Sequence, residues 1–598
     1  MLIGTLEDWK NAYARGATPA DLLESQRRAC DAGDTAWISI ASIEQLQAQI
    51  KELAALEQTL GRDQLPLYGV PFAVKDNIDV AGFLTTAACE EFAYVAQSDA
   101  FAVQRLKNSG AIVLGKTNLD QFATGLVGTR SPYGVVPNTF DSRLICGGSS
   151  SGSASVVARG LVPFALSTDT AGSGRIPAGF NQIVGLKPTP GAVSGTGLVP
   201  ACRTLDCIGV LACTVADSAR VMSLMEGLDA ADGYSRPRPM APAHKPLAQL
   251  RVATPAARKL SAGYEAAFAA FSAQLQARTA QLQDISFDML FEVAQLLYQG
   301  PWVAERVVGA RSIYEQQPEK MLPVVRSVLD VAQKFSAADT FAAQYRLLAL
   351  KQQAEQIWQQ WDVLCVPTAP RHPRIDEVMA DPIAVNSEMG VYTNFVNLLG
   401  WSAIAIPASR LPDGLPFGIT LIAPGWREPD LVRWAAQLEQ HAGLPAGVTG
   451  LQASASASAE PATWNVAAHG EMIKVAVVGA HLRGMPLNHE LHSCGARFVQ
   501  ATHTSASYRL YALQGTVPPK PGLSRAQDGA AIAVEVWEMP LAHFGRFVAG
   551  VPSPLGIGSV TLASGETCKG FICEAHALAQ ATDITNFGGW RAYCNSLR

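Results

Sequence analysis

The sequence predicts an α/β fold with a smaller second domain. Segments whose apolar residues are spaced three and four apart, which is typical of helices, alternate with short continuous apolar runs, which are typical of buried strands. The chain has 598 residues, of which 48% are hydrophobic and 16% charged, and this composition is typical of a well-buried globular protein. Because that length exceeds one ordinary domain, we expect a large domain and a smaller one.

Helices and strands are predicted in alternation along the first 440 residues. The helical patterns cover residues 18–59, 264–283, 287–299, 302–313 and 338–361. The strand-like runs are LYGVPFAV (67–74), GAIVLGKT (110–117), VLCVP (363–367) and AIAIP (403–407). This alternation implies helices packed on a sheet.

The composition changes near residue 441. Residues 441–464 are rich in Ala, Ser and Gly and lack periodicity, which is typical of a tether. We therefore divide the chain into a large domain over 1–440, a linker over 441–464 and a C-terminal domain over 465–598. In the last, several short strands separated by polar turns predict a small β-rich barrel with one or two helices.

Charge and cysteine usage restrict the function classes. The net charge of -5, without a Lys/Arg-rich run, argues against nucleic acid and acidic membranes as partners. The first residues carry charges where a secretory signal needs an apolar stretch, and the apolar segment 391–409 is interrupted by polar residues, so we expect a cytoplasmic protein without a membrane span.

Eleven cysteines without CxxC spacing predict reduced thiols. We expect no cofactor or metal, a small-molecule substrate and a homodimer.

Two glycine-flanked serine turns, Gly147–Ser153 and Gly172–Gly174, are separated by the apolar segment 156–167. Glycine beside serine lets a ligand approach the backbone, and successive N–H groups can point at one atom, as an oxyanion hole requires. The alternative is a flexible Gly/Ser linker. A linker is not normally followed directly by a buried segment and a second such turn, so we favour a catalytic site.

A serine nucleophile needs a base. His244, His372 and His441 are the histidines that precede the linker, and their surroundings predict surface positions. Lys75 ends a buried apolar run, and a desolvated lysine can act as base because burial disfavours its charged form. A solvated loop lysine is the alternative.

Residues 110–117 match the P-loop pattern, which raises a nucleotide-binding alternative. The four residues between its glycines are Ala, Ile, Val and Leu, whereas a P-loop curls around phosphate with residues that tolerate irregular backbone. We therefore expect Lys116 to end a strand.

These serine and lysine motifs resemble those of the amidase signature family, over residues 20–440. GGSSxG is followed 24 positions later by a serine in a GS-x-R turn. The resemblance implies a sandwich of helices around a large mixed sheet, Ser173 as nucleophile, Ser149 as the bridging serine in a cis peptide and Lys75 as base. It also implies an oxyanion hole from the backbone amides of Thr170, Ala171, Gly172 and Ser173. Asp169 and Arg175 are expected to pair with other charges or backbone, and Gly174 departs from the branched residue of many relatives.

Within that family the chain resembles the allophanate hydrolases. The segment LLYQGPWVAERVVGAR (296–311) holds Tyr298 and Arg306, which match residues that bind the substrate carboxylate there, and Gly125 matches a backbone contact to substrate. The segment GAHLRGMPLNHELHSCGARFV matches their C-terminal domain, whose fold is similar to γ-glutamyl cyclotransferase.

The resemblance implies hydrolysis of allophanate to ammonia and carbon dioxide, with N-carboxycarbamate as intermediate. Alternatives are a broader amidase acting on small or aminoacyl amides and a non-enzymatic or NTP-driven assembly protein. His481, with His489, is the candidate for decarboxylation in the C-terminal domain, which could equally serve assembly. His489 and His492 resemble half of a zinc motif, but their spacing is one residue short.

Overall fold

The computed structural model describes residues 4–31, 33–239, 244–452 and 472–597. The chain divides into two compact units, Met1–Trp464 and Asn465–Arg598. Of the predicted linker, residues 453–464 lie outside the described residues, and residues 441 and 442 instead end a helix. No helix within the described ranges is long and apolar enough to cross a membrane.

One large mixed sheet forms the centre of the first unit. Eleven of the strands described there join it in the order β1-β5-β2-β6-β8-β7-β12-β13-β11-β9-β10, and β3 pairs with β4. Strand β2 is parallel to both β5 and β6, whereas β12 and β13 are antiparallel. The strands are β1 (Trp37–Ile40), β2 (Pro71–Lys75), β3 (Leu84–Thr85), β4 (Tyr94–Val95), β5 (Ile112–Thr117), β6 (Phe164–Asp169), β7 (Val184–Lys187), β8 (Cys207–Ala212), β9 (Arg251–Pro255), β10 (Gln281–Ile285), β11 (Val363–Pro367), β12 (Ser402–Arg410) and β13 (Pro416–Ala423).

Helices cover this sheet, and several begin at a side chain that satisfies free backbone N–H groups. Thr5, Ser42 and Ser336 each form a capping box. The helices are α1 (Leu6–Ala14), α2 (Pro19–Arg28), α3 (Ile43–Leu60), α4 (Phe101–Asn108), α5 (Ser151–Ala158), α6 (Arg175–Phe180), α7 (Val215–Met225), α8 (Ala262–Gln276), α9 (Asp288–Gln299), α10 (Trp302–Gln316), α11 (Pro323–Asp330), α12 (Ala337–Ala354), α13 (Ile357–Gln360), α14 (Ile375–Ala380), α15 (Ala384–Met389), α16 (Asn394–Leu399) and α17 (Glu428–Ala442).

Both faces of the sheet are buried. On β6, Phe164 and Leu166 belong to one apolar cluster and Ala165 to another. Successive side chains of a strand point to opposite faces, so each face has its own core. The predicted sandwich of helices around a large mixed sheet is confirmed.

The helix predicted over 264–283 is wrong in its last part. Helix α8 ends at Gln276, and residues 281–285 form β10, which lies parallel to β9 at the edge of the sheet. The local pattern is compatible with a helix, but pairing with a distant strand decides the conformation.

The second unit is a small α+β domain. Its described strands form a five-stranded sheet, β15-β18-β14-β20-β19, and a three-stranded sheet, β17-β16-β21, where we predicted a barrel with one or two helices. The strands are β14 (Met472–Val477), β15 (Arg497–His503), β16 (Tyr508–Ala512), β17 (Pro521–Arg525), β18 (Ala533–Pro540), β19 (Leu555–Thr561), β20 (Thr567–Cys573) and β21 (Thr582–Asp583). The helices are α18 (Asn488–Ser493), α19 (Leu541–Ala549), α20 (Ala575–Leu578) and α21 (Trp590–Ser596). The cysteines of both units are free thiols, as predicted.

Candidate active site

Lys75 ends β2 in the interior of the first unit and is 0% exposed. Its Nζ donates hydrogen bonds to Ser149 Oγ at 2.7 Å and to Thr168 Oγ1 at 2.6 Å. Burial lowers the pKa of this ammonium to about 7, although nearby carboxylates oppose the shift. The side chain is therefore not a solvated loop lysine, and a large fraction of it is neutral near neutral pH.

Ser149 is held in a close-packed turn before α5. The peptide bond between Gly148 and Ser149 is cis. A Cβ on Gly148 would collide with the Asp120 carboxylate and would lie 2.5 Å from Gly128 N, so only glycine fits at this position. The N–H of Asp120 also donates to Ser149 O at 3.2 Å, which ties the turn to the loop after β5.

Ser173 lies in the turn between β6 and α6, and an internal ion pair braces this turn. Arg175 donates to both carboxylate oxygens of Asp169 at 2.9 Å, and both residues are buried. Arg175 Nη2 also donates to Thr393 O and Asn397 Oδ1, both at 3.2 Å. The expectation that Asp169 and Arg175 pair with charges and backbone is confirmed, because the two form a buried ion pair with two hydrogen bonds.

Of the three proposed relay residues, the structure joins Lys75 and Ser149 by a hydrogen bond and connects Ser173 through its backbone. The link from Lys75 to Ser149 is present. Ser150 N–H donates to Ser173 O at 3.3 Å, which joins the two serine turns. The Ser173 hydroxyl makes no hydrogen bond to another described residue. Catalytic hydrogen bonds often form only when substrate binds, so the absence of this contact is compatible with a relay.

The structure corrects one member of the expected oxyanion hole. The N–H of Gly172 donates to Asp169 Oδ1 at 2.9 Å, so it is engaged in bracing the turn and is not free to bind an oxyanion. The N–H groups of Thr170, Ala171 and Ser173 make no hydrogen bond to another described residue. We take the amides of Ala171 and Ser173 as the main candidate donors, because they are the two of these that lie nearest the nucleophile along the chain.

Two polar residues at the site were missed in the sequence. Thr168 lies beside the Lys75 ammonium, and Asp206 accepts a hydrogen bond from the Thr170 hydroxyl. Asp206 also accepts from Ala201 N at 2.8 Å, and burial raises its pKa to about 6. The alternation of Thr168 and Thr170 at the end of β6 was the sequence signal that could have identified Thr168 as a site residue. No sequence signal pointed to Asp206, since it comes from a separate segment.

Arg306 and Tyr298 meet across the break between α9 and α10. Arg306 is 2% exposed, and its Nη2 lies 3.3 Å from the Tyr298 hydroxyl. Its Nη1 donates to Thr124 Oγ1 at 3.3 Å and to Ala123 O at 3.4 Å. Arg306 forms no salt bridge with any described carboxylate, and its Nε lacks a hydrogen-bond partner there. A buried guanidinium with these neutral partners can accept an anionic group.

Gly125 follows Thr124 in the loop that contacts Arg306. A Cβ at this position would collide with the Asp120 carboxylate and would lie 3.1 Å from Arg130 Cδ. Since Asp120 also contacts Ser149 O, this loop connects the guanidinium with the serine turn. The absence of a side chain at Gly125 is thus a packing requirement of the loop.

The environment of Lys116 contradicts the P-loop alternative. This residue lies within β5 and is 0% exposed. Its Nζ lies 3.3 Å from Asp76 Oδ1 and donates to Thr85 Oγ1 at 3.1 Å. Lys116 is therefore a buried, paired lysine and not a phosphate ligand.

His372 is not the surface residue that we predicted. Its ring stacks on Phe180 with centroids 4.0 Å apart, and its Nε2 lies 2.8 Å from Ile145 O. Burial lowers its pKa to about 4. His244 and His441 are exposed, as expected.

In the second unit, His481 is held between aromatic rings. It stacks on Phe571 at 4.9 Å between centroids and meets the edge of Phe547 at 5.5 Å. Its Nε2 lies 2.8 Å from Glu490 Oε2, and Asn488 Nδ2 donates to its carbonyl at 2.9 Å. Burial lowers the pKa of the ring, and Glu490 opposes that shift. These contacts fix the orientation of the imidazole.

His489 lies apart from this arrangement. It is exposed, and its Nδ1 lies 2.9 Å from Pro486 O. The ring of His492 packs against Trp537 at 5.3 Å. Within the ranges that the structure describes, no group of three or more His, Cys, Asp or Glu side chains could hold a metal ion.

Comparison with known proteins agrees with this architecture. The model of the amidase family matches residues 22–432, and that of the allophanate hydrolase C-terminal domain matches residues 473–595. The urea amidolyase of Saccharomyces cerevisiae is 43% identical over 99% of this chain, which spans 33% of the length of that relative. The chain is thus about a third as long as the curated relatives that it matches over its whole length.

Of two further relatives, one matches the whole chain and the other matches about seven-tenths of it. The structure of Kluyveromyces lactis allophanate hydrolase is 40% identical with a TM-score of 0.74, and the match covers 100% of this chain and 99% of that one. One subunit of the glutamyl-tRNA(Gln) amidotransferase of Deinococcus deserti is 34% identical over 71% of this chain and 93% of its own length. The chain therefore belongs to the amidase family of amidohydrolases, and an allophanate hydrolase C-terminal domain follows its amidase domain.

Proposed function

We propose that this chain hydrolyses allophanate, the N-carboxylate of urea, to ammonia and carbon dioxide. The observation that carries the proposal is Arg306, a buried guanidinium that has neutral partners and no salt bridge with a described carboxylate. A buried cation without an anionic partner is unfavourable, and the carboxylate of a small substrate would supply that partner. Guanidinium also binds a carboxylate through two parallel hydrogen bonds. The similarity to allophanate hydrolase supports the same substrate.

The first step is acyl transfer to Ser173. Neutral Lys75 accepts a proton through Ser149 from the Ser173 hydroxyl, and the Ser173 oxygen attacks the amide carbonyl of allophanate. The amides of Ala171 and Ser173 stabilise the negative charge that develops on the carbonyl oxygen. The proton then returns through Ser149 to the departing nitrogen, which leaves as ammonia.

The acyl group left on Ser173 is a carbonyl that carries the NH–COO⁻ part of the substrate. Water, activated by the same Lys75 and Ser149 relay, hydrolyses this ester and releases N-carboxycarbamate. Arg306 holds the terminal carboxylate throughout, so the carbonyl stays in place for both half-reactions.

The second unit is proposed to accelerate loss of carbon dioxide from this product. His481 is the proposed proton donor: burial lowers the pKa of its ring, Glu490 opposes that shift, and its Nδ1 has no hydrogen-bond partner among the described residues. The match of this unit to the allophanate hydrolase C-terminal domain supports the assignment. A purely architectural role is the competing interpretation, and removal of the unit by truncation distinguishes the two.

Ammonia release from four substrates tests the main proposal. Allophanate and malonamate carry a carboxylate, whereas biuret and butyramide do not. We expect Arg306→Ala to raise KM for the two anionic substrates by about 10- to 100-fold, since a charge-assisted bidentate contact is worth about 1.5–3 kcal/mol. Arg311→Ala is the matched control, because Arg311 is an exposed residue on the same helix. Equal losses for anionic and neutral substrates would contradict the proposal.

The similarity to a subunit of glutamyl-tRNA(Gln) amidotransferase favours a second candidate, a broader amidase that acts on small or aminoacyl amides. Such an enzyme would tolerate loss of Arg306. The four-substrate comparison therefore decides between the two.

We further propose that the protein is a cytoplasmic homodimer. Four large apolar side chains on α10 and α12 are more than half exposed, which supports an interface between copies. They are Val308, Phe341, Tyr345 and Leu348. Light scattering after size exclusion should give a dimer for the native chain and a monomer for Tyr345→Asp.

A further inference from the structure

The second unit contains a cavity of about 220 Å³, with His481 and Glu490 in its wall and Lys520 as a further charged lining residue. We propose that Lys520 binds the carboxylate that N-carboxycarbamate retains when it loses carbon dioxide. Lys520 would thus be the specificity residue of the second site. This inference rests on the proposed function of that unit and adds to it the group that recognises the substrate.

Lys520 supplies a positive charge that the described residues do not neutralise. Its backbone N–H donates to Thr516 Oγ1 at 2.9 Å, which fixes the chain at this point. Its ammonium forms neither a salt bridge nor a hydrogen bond with a described residue. The charge nevertheless acts on His481, where it disfavours the protonated ring.

The other charged groups in the wall do not compete for this ammonium. Glu490 is the carboxylate that lines the cavity, and it contacts His481 at 2.8 Å. Lys520, Glu490 and His481 are the titratable groups among the described lining residues. Because Glu490 is hydrogen-bonded to the imidazole, the Lys520 ammonium is available to form an ion pair with a small anion.

The uncharged lining residues have apolar side chains and include Pro518, Leu555 and Phe571, whereas Val517, also in the lining, is 91% exposed. N-carboxycarbamate carries two carboxylates on one nitrogen, and it is small enough for this volume. One carboxylate would lie at Lys520 and the other against the apolar wall. Because an unpaired charge is unfavourable in apolar surroundings, that wall favours conversion of the second carboxylate to neutral carbon dioxide.

The chemistry of the step balances with a single proton. The His481 imidazolium donates its Nδ1 proton to the substrate nitrogen, and the bond from this nitrogen to the carbon of the departing carboxylate breaks. The electron pair of that bond stays on nitrogen, so the products are carbon dioxide and carbamate. Solvent then reprotonates His481. The retained carboxylate stays paired with Lys520 and needs no proton.

Malonate, which has the same spacing of two carboxylates, is the binding probe. The full chain carries Arg306→Gln in this experiment, so that the first site does not bind the probe, and titration calorimetry measures the Kd. We expect Lys520→Met to weaken malonate binding by at least about tenfold and Lys520→Arg to keep it within about threefold. Lys474→Met is the control, since Lys474 is a partly exposed lysine of the same unit that is paired with Glu566. Unchanged binding in Lys520→Met would overturn the proposal.

Turnover separates binding from proton transfer. With the native first site, carbon-13 spectra follow N-carboxycarbamate while ammonia release is recorded. We expect Lys520→Met to raise KM for decarboxylation by at least about tenfold, whereas His481→Gln lowers kcat and keeps the malonate Kd. First ammonia release should be unchanged in both. Decarboxylation by Lys520→Met with the native KM would overturn the role of Lys520.

The outcomes distinguish this inference from the proposed function. If allophanate releases no ammonia, the function of the first site is wrong, but the dependence of malonate binding on Lys520 is still measured. If malonate binds through Lys520 but neither Lys520→Met nor His481→Gln changes decarboxylation, the second unit has an anion site without the proposed catalysis, and the assigned ligand is wrong.

Discussion

Lys75 Nζ lies 2.7 Å from Ser149 Oγ, and both residues are 0% exposed. This relationship joins a strand end to a glycine-rich turn distant in sequence. The lysine can therefore act as the base for the serine turn, and no histidine is required, because the burial that positions the lysine also lowers its pKa.

The nucleophile and the base should act as one unit. We expect Lys75→Ala and Ser173→Ala each to reduce ammonia release by at least about a thousandfold, and the double variant to lose little more, since either loss breaks the same relay. Ser149→Ala should also be severely impaired. Steady-state assays supported by circular dichroism check this. Near-native activity of Lys75→Ala at neutral pH would exclude the assignment.

Activity should depend on pH through Lys75. Its pKa is lowered to about 7 by burial, and the base works in its neutral form. We therefore expect kcat/KM to rise about tenfold per pH unit below pH 7 and to level off above it. Measurements with allophanate between about pH 5.5 and 9 test this, with Ser149→Ala as a comparison. A profile that falls as the pH rises through 7 would mean that the protonated lysine is the active form.

The ion pair of Asp169 and Arg175 should be important for stability. Both side chains are buried, and Arg175→Met would leave the Asp169 carboxylate without its main partner. We expect a loss of about 3–5 kcal/mol in the free energy of unfolding of the first unit, measured by urea denaturation. Arg374→Met is the control, because Arg374 pairs with Asp376 at the surface and should change stability by less than about 1 kcal/mol. Similar losses in both variants would argue against a special role for the buried pair.

The two activities should separate on truncation. A chain that ends at residue 460 contains Lys75, Ser149, Ser173 and Arg306, so we expect it to keep the first ammonia release. The full chain should convert N-carboxycarbamate to carbon dioxide faster than this fragment, and His481→Ala should behave like the fragment. Assays of ammonia and carbon dioxide on one sample measure both steps. Identical decarboxylation by all three proteins would leave the second unit with an architectural role.

Local patterns were sufficient to predict much of the fold. The apolar runs at 363–367 and 403–407 are strands of the central sheet, because continuous apolar runs suit strands that are buried on both faces. Residues 281–285 could not be predicted in this way, since their own pattern also fits a helix and pairing with β9 decides their conformation.

The sequence by itself determined that two glycine-flanked serine turns and a lysine at a strand end could form an acyl-transfer site, because those residue types suit the chemistry wherever they meet. Only the tertiary structure decided how they are connected. The Gly172 amide is used by Asp169, Thr168 joins Lys75, and Arg306 is buried without a salt bridge to a described carboxylate. Each of these facts depends on burial and on contacts between segments that are distant in sequence. Burial and such contacts determine how strongly a hydrogen bond or an ionic interaction acts, and no short stretch of sequence contains them.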